Sequence, residues 1–333
     1  TIMRAERDGS VSHGLFRLPA YVAGLKSKKI NGKARPELEN VAPSIIKVLG
    51  NNAVAPMVLS LGLPAVIDLA KKNGVAVLAI KNSHHMAALW PETEAIAEAG
   101  LVGIACTSYK PAVAPAGATK PLYGTNPISF AWPRPGKTPV VYDMATASMA
   151  MGEVQIAKRE GHKVPLGTGL TKEGKETTDP GEIADGGVIL PFGGYKGSSI
   201  AMMVELLAGA LIGENFSFET AAKDNNDGGQ PSGGEFIIAI SPDKISGKGW
   251  DKHADEFFAF IGLQVRLIDL RFDIAGTNCV DINTVFSPLQ SHRFGHLHDC
   301  CLTHAIDANL RYHAQAGNGG DIDNSSGQPL LNQ

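Results

Sequence analysis

Asp8-Gly9-Ser10-Val11-Ser12-His13-Gly14-Leu15-Phe16-Arg17-Leu18-Pro19-Ala20-Tyr21 packs an imidazole, a guanidinium and a phenol into the nine residues from His13 to Tyr21. His13 and Arg17 stand four apart, so on one helical turn they share a face. That pairing suits a substrate with a carboxylate beside a reducible centre. A guanidinium grips a carboxylate through two parallel hydrogen bonds. An imidazole, whose ordinary pKa lies near neutrality, is suited to stand beside the reacting carbon as proton donor. Tyr21, one turn further on, lines the same pocket. Read alone, the stretch leaves a second reading open, in which an H-x-x-x-R pair on a surface helix is merely solvated.

Downstream, Pro64 to Lys72 carries apolar residues at helical spacing behind a first-turn proline, and Gly74 is placed to end the helix. Val75 to Ile80 is a continuous apolar run, the mark of a strand covered on both faces. A short helix over Pro91 to Ala99 and a buried strand from Leu101 to Thr107 follow, and this succession predicts a right-handed parallel crossover. Ligands gather beyond the C-terminal ends of such strands, which is where Asn82-Ser83-His84-His85-Met86 stands. His84 and His85 are candidates for polar contacts with a cofactor or substrate. Helix capping by Asn82 or Ser83, with exposed imidazoles, is the alternative. A zinc site lacks a carboxylate or third histidine at ligand spacing, so no metal is expected.

Leu190-Pro191-Phe192-Gly193-Gly194-Tyr195-Lys196-Gly197 precedes an apolar helix, Ser198 to Ile212. Glycines ahead of a helix bare backbone N–H groups at its positive end, and Lys196 adds a full charge. A phosphate is the natural guest of Gly193, Gly194, Lys196 and Gly197. Met202, Met203, Leu206 and Leu207 read as core. Asp143 reads as the N-cap of a helix running to about Arg159, with Glu153 on it as an exposed carboxylate. Glu235 to Ile240 reads as a strand and Trp250 to Phe260 as a helix. No G-x-G-x-x-G follows a strand and no G-x-x-x-x-G-K-[ST] is present, so a dinucleotide has to bind in some other way.

The pattern D-G-S-x-S-H-G-x-x-R-x-P-x-Y resembles the signature of the malate/L-lactate dehydrogenase family that lacks a Rossmann fold, and the resemblance runs from about Arg4 to Phe260. It implies an α/β, non-Rossmann mixed-sheet fold with helices packed on the sheet. It implies that His84, His85 and Met86 lie near a nicotinamide. Gly124-Thr125-Asn126-Pro127, a plain turn when read alone, matches the family's G-T-N-P along the cofactor. Asp143-Met144-Ala145-Thr146 opens its D-x-A-T-x-S segment, which approaches the nicotinamide and the reacting centre. Gly152 to Ala157, Ser83 to Pro91 and Glu214 to Glu219 resemble the imine-reducing branch, where an acidic residue stands at the place of Glu153.

The implied activity is NAD(P)H-dependent reduction of small cyclic 2-imino acids. Δ1-piperideine-2-carboxylate would give L-pipecolate, and Δ1-pyrroline-2-carboxylate would give L-proline, with NADPH favoured over NADH. His13, Arg17, Asp143 and Glu153 are then the expected catalytic residues, and Arg17, Tyr21 and His84 the substrate contacts. A malate, L-lactate or ureidoglycolate-type 2-hydroxy acid dehydrogenase needs only the keto-acid reading of His13 and Arg17. A catalytically silent NAD(P)-binding homologue is the alternative of another class. The resemblance also implies a homodimer.

Composition bounds the rest. The chain has 333 residues, 44% of them hydrophobic, with a net charge of −3. That allows a sizeable core and argues against a nucleic-acid or anionic-membrane partner. No apolar run approaches the length of a membrane span, and no signal peptide opens the chain. Four irregularly spaced cysteines form no disulfide framework, which points to a reducing cytoplasm. Three parts are expected. Residues 1–55 carry the His/Arg motif, without the helix that the family places ahead of it. Residues 56–262 form the NAD(P)-binding and catalytic α/β domain. Residues 263–333 form an atypical, partly disordered C-terminal segment, in which the His/Cys-rich stretch shows no zinc-finger pattern.

Overall fold

The computed structural model describes residues 1–260 apart from 109, 226–228 and 230, together with the backbone of 271–273. The expected C-terminal segment otherwise lies outside the described residues.

The chain opens with α1 (Ile2–Arg7), two 3₁₀ turns (Val11–His13 and Leu15–Arg17) and α2 (Leu18–Lys26). A hairpin follows, β1 (Glu37–Ala42) and β2 (Ile45–Val54), then α3 (Ala55–Asn73), β3 (Val75–His84), α4 (Trp90–Glu98) and β4 (Val102–Thr107). Next come β5 (Ile128–Trp132), β6 (Val140–Met144), α5 (Met151–Glu160), β7 (Gly169–Leu170), β8 (Glu176–Thr177), α6 (Pro180–Ala184) and β9 (Val188–Ile189). The series ends with α7 (Tyr195–Glu205), a π-helical turn (Leu206–Leu211), α8 (Ser217–Ala222), β10 (Gly233–Ile240), α9 (Pro242–Ser246), α10 (Trp250–Phe260) and β11 (Arg271–Asp273).

The main sheet runs β1-β2-β3-β10-β4-β5-β6-β11, and β8-β7-β9 form a small second sheet. The expected β3–α4–β4 unit needs correction. Both strands point the same way, but β10 lies between them and pairs antiparallel with each. The sheet is therefore mixed, as the resemblance implies. The β1–β2 hairpin of the expected N-terminal segment belongs to the same sheet, because β2 pairs parallel with β3.

Side-chain alternation along β3 explains why both faces are covered. Leu78 and Ile80 face one way, into a core with Val58, Leu59, Val66 and Ala70 of α3. Ala79 faces the other, with Phe236 and Cys106, against Val204 and Ala208 of α7 and its π turn. A separate small core around Val113, Ala147, Val154, Ile183 and Ile189 builds the lobe carrying α5, α6 and the small sheet.

Three local expectations are corrected. Helix α3 begins at Ala55, with Pro56 in its first turn and Pro64 in its interior. Its buried residues recur at helical spacing from Ala55 onward, and this burial outweighs the backbone hydrogen bond that Pro64 cannot donate. Asp143 sits inside β6, and α5 starts only at Met151. Met202, Met203 and Leu206 are exposed rather than core, leaving Leu207 as the inward member of that group.

Helix α3 approaches the sheet at Gly62, where a Cβ would meet Leu78 Cδ atoms at 2.8 and 3.0 Å. Leu78 is fully buried and has no room to yield. Gly62→Val should therefore destabilise the fold by about 1–3 kcal/mol through overpacking, read as a lower urea midpoint with an unchanged slope. An unshifted midpoint would mean that α3 can move off the sheet without cost.

Candidate active site

The first motif is wound as two 3₁₀ turns rather than one α-helical face. His13 and Arg17 nevertheless stay together. Ser12 Oγ lies 3.0 Å and Ser10 Oγ 3.4 Å from His13 Nδ1, which leaves Nε2 as the ring nitrogen for a substrate. Burial, the Arg17 guanidinium and the neighbouring His85 push the His13 pKa down to about 3. The residue keeps some exposed surface, but all three influences act downward. The imidazole is thus neutral at physiological pH, against the expectation drawn from its ordinary value.

Arg17 is held from the small lobe. A Cβ at Gly152 would lie 2.9 Å from Arg17 Nη2 and 3.2 Å from Ser12 Cβ, so the start of α5 packs directly on the motif. Arg17 Nε is buried and has no hydrogen-bond partner among the described residues. Tyr21 meets the backbone of Met86 and lies within reach of the charges of Arg17 and Glu92. The phenol therefore joins the first motif to the end of β3. Glu153 sits in the first turn of α5, one residue past the Gly152 contact, and is partly exposed.

At that end of β3, His84 is fully buried, and His85 and Met86 nearly so. The imidazoles are not exposed, so the capping alternative does not describe them. His85 Nε2 lies 3.3 Å from Glu92 Oε1 in the first turn of α4. Glu235 of β10 joins them, the three offering ligand atoms within 4.8 Å of one another. Burial pushes the Glu92 and Glu235 carboxyls up to about 8. Sequence reasoning missed both. Glu92 reads as an ordinary first-turn helix acid, and Glu235 comes 143 positions later. The available signal was a lone carboxylate in an otherwise apolar strand, Gly233-Gly234-Glu235-Phe236-Ile237-Ile238.

Asp143 is 1% exposed, and its Oδ2 accepts from Leu89 N at 2.6 Å and Trp90 N at 3.0 Å. It thus caps the start of α4 from another strand, in place of the expected cap on its own helix. Met144 closes β6, and Ala145 and Thr146 are buried beyond it.

The remaining expected cofactor residues are strung along α7, from Thr146 and the glycine turn at its N-terminus to Asn126 at its C-terminal end, with Gly124 held to the start of α8. Thr146 N and Oγ1 donate to Thr125 O at 2.9 and 3.0 Å. Asn126, fully buried with φ at 40°, donates from Nδ2 to Ala201 O at 3.1 Å and to Glu205 Oε1 at 2.8 Å. Gly124 N donates to Ser217 Oγ at 3.0 Å. Phe192 N donates to Thr146 O at 3.0 Å, and a Cβ at Gly197 would come within 2.7 Å of that same oxygen. Gly193 and Gly194 adopt positive φ, open space lies over Gly194, and Lys196 is exposed beside it. A glycine cradle at the positive end of an eleven-residue helix, with an exposed lysine beside it, suits a pyrophosphate.

The chain matches the family model described as malate/L-lactate dehydrogenase over residues 1–264. It is 46% identical over 252 residues to the Δ1-pyrroline-2-carboxylate/Δ1-piperideine-2-carboxylate reductase of Pseudomonas syringae pv. tomato, covering 76% of this chain and 74% of that protein. It is 44% identical over 269 residues to the Δ1-pyrroline-2-carboxylate reductase of Ancylobacter novellus, covering 79% and 78%. In three dimensions it resembles the crystal structure of the P. syringae Δ1-piperideine-2-carboxylate reductase, with a TM-score of 0.76 at 44% identity over 80% of this chain and 81% of that one.

Two stability predictions follow from this geometry. Asp143→Ala leaves two buried N–H donors without their acceptor and should cost roughly 2–4 kcal/mol in urea unfolding, with Asp143→Asn milder. Equal stability of the alanine variant and the parent would remove the carboxylate as the cap. Glu235 bears on pH. The unfolded carboxyl ionises near its ordinary 4.5, whereas the folded one keeps its proton to about 8. Stability is thus full below about 4.5 and is lost as pH rises towards 8, as it is for Glu92. Glu235→Gln cannot ionise, so the variant should gain on the parent between pH 5 and pH 8. A pH-independent gap in urea midpoints would contradict this.

Proposed function

From the premise that the chain belongs to the malate/L-lactate dehydrogenase family, we propose that it is an NAD(P)H-dependent reductase of small cyclic 2-imino acids. Δ1-piperideine-2-carboxylate and Δ1-pyrroline-2-carboxylate are the substrates, and L-pipecolate and L-proline the products. One observation carries the reading. A guanidinium whose buried Nε has no hydrogen-bond partner among the described residues stands beside an imidazole held neutral, next to the end of β3. The names of the relatives point the same way.

Bound NAD(P)H supplies the hydride for the C=N carbon. Arg17 receives the substrate carboxylate, which gives its buried Nε an acceptor. The incoming negative charge offsets Arg17 and thereby relieves one of the influences that depress His13. Tyr21 lines the ring, and His84, fully buried, stands behind the wall at the end of β3. A protonated imine needs only the hydride. A keto acid also needs a proton, which His13 Nε2 delivers, with Glu153 as the neighbouring acid. Asp143 acts through the α4 turn that it holds.

Gly193, Gly194, Lys196 and Gly197 take the pyrophosphate. Gly124, Thr125, Asn126 and the Met144–Ala145–Thr146 segment would hold the length of the cofactor, and His84, His85 and Met86 would hold its nicotinamide end. NADPH is the favoured form. The apolar stripe of Met202, Met203 and Leu206 on α7 and its π turn suits a second copy of the chain, and the assembly is a homodimer in the cytoplasm. No helix among the described residues is long and apolar enough to cross a membrane.

The test is a panel of cyclic imino acids, pyruvate and oxaloacetate with NADH and NADPH. The cyclic imino acids with NADPH should give the highest kcat/KM, and turnover of keto acids alone would overturn the reading. Within that panel, Arg17→Lys keeps the charge but loses the planar fork. It should lower kcat/KM on every carboxylate substrate by roughly tenfold to thousandfold, and an unchanged value would take Arg17 out of the substrate site.

A further inference from the structure

Two fully buried carboxylates and an imidazole stand together behind the first motif. Glu235 is completely buried and Glu92 is 2% exposed. Both oxygens of Glu235, and Oε2 of Glu92, lack a hydrogen-bond partner among the described residues. Arg4, which acts on Glu92, is itself paired with Glu94. Among the described residues, Cys106 lies within reach of Glu235, Tyr21 of Glu92 and His13 of His85. Buried carboxyl groups left in this way call for a proton or a cation.

We propose that the His85–Glu92–Glu235 cluster is a specificity device, a wall of two buried carboxyl groups behind the His13–Arg17 motif that gives up a proton to match a cationic reacting group, and so selects the protonated C=N of a cyclic imino acid over the uncharged C=O of a keto acid. The inference rests on the imino-acid reading above and deepens it.

The cluster adjoins the pocket through two links. His85 acts on His13. Tyr21, which feels Arg17 and Glu92, is hydrogen-bonded to the backbone of Met86, next to His85. Charge accounting then separates the substrates. Either substrate brings a carboxylate, which Arg17 neutralises. An iminium adds one positive charge, which one of the two carboxyls balances by giving up its proton. A keto acid adds none, and both carboxyls stay protonated. The reactions differ as well. Hydride addition to the iminium carbon forms a C–H bond and moves the C=N π pair onto nitrogen, giving a neutral amine without further proton transfer. Hydride addition to a ketone leaves an alkoxide that must take a proton, and the neutral His13 is a poor source of one. Glu92, Glu235 and His85 are positioning residues here, since they act through the field in the pocket.

The wild-type enzyme with NADPH bound provides the first test. Piperidine-2-carboxylate, with its ring ammonium, should compete against the imine substrate at least tenfold better than cyclohexanecarboxylate, the uncharged ring of similar shape. Glu235→Gln and Glu92→Gln, checked for folding by melting and NADPH titration, should lower the ratio of imine to pyruvate kcat/KM at least tenfold. They should also narrow the preference for the ammonium ring. Cyclohexanecarboxylate binding as well as the ammonium, an unchanged ratio in both variants, or one divalent metal per chain retained on purification would each overturn the proposal. A wild-type enzyme that reduces keto acids and no imine would overturn the function it rests on. One that reduces imines with an unchanged ratio in the variants would overturn the wall alone.

Discussion

The carboxylate of Asp143 is the constraint on which the site depends. It lies on β6 and reaches across to the first N–H groups of α4, the helix that leaves the end of β3. A helix start buried in the middle of a protein has donors that water cannot reach, and Asp143 supplies the acceptor. The turn from His84 to Leu89 is fixed by this contact, and with it His85 and the inward face of α4. Thr93 Oγ1, 2.6 Å from Ser129 Oγ, holds the next turn to β5. Further along the same helix the buried Glu94 pairs with Arg4, and the Arg4 guanidinium lies 4.6 Å from the centre of the Trp90 ring. Helix α1 is thereby docked on α4, and α1 leads straight into His13. One buried acid thus indexes both halves of the pocket, although the strand that carries it is neither β3 nor the first motif.

Much of this fold was legible in the sequence, and the parts that were not share a cause. The apolar run at Val75–Ile80, the helix at Pro91 and the strand before Thr107 stand where local pattern puts them, because periodicity is set by each element's own burial. The order of strands is not local. Nothing between Val75 and Thr107 announces that Gly233–Ile240 will slide between β3 and β4. The same limit hid Asp143, whose capping role was anticipated but assigned to the wrong helix. It also hid the exposure of Met202, Met203 and Leu206, since a helix apolar all round looks like core until the sheet takes one side only.

The site shows the same division. His13, Arg17, Tyr21, His84, His85 and the glycines before α7 were readable as types of chemistry at suggestive spacings. Their electrostatic state was not. His13 is held neutral by burial, by Arg17 and by His85, and only the last two are visible as residues in the chain. Residue type gives a pKa range, whereas the folded environment decides which side of neutrality the group occupies. The His85–Glu92–Glu235 grouping lies further still from sequence reasoning, because its members come from a strand end, a helix start and a strand inserted much later.

Two glycines show how the pieces close on one another. At Gly152, α5 comes so near the first motif that a single methyl group would stand 2.9 Å from Arg17 Nη2. At Gly197, α7 comes so near the Thr125–Thr146 strap that a methyl group would crowd Thr146 O. In each case the backbone of one lobe lies flat against a polar group that the other part presents. Neither glycine needs its freedom at positive φ, since neither adopts it. What matters is the missing side chain. The contacts are coupled, because Thr146 and Gly152 lie six residues apart on the same connection from β6 into α5. One short segment, from Thr146 through the buried Ala147, Met149 and Ala150 to Gly152, therefore fixes both close approaches, to α7 at one end and to the first motif at the other.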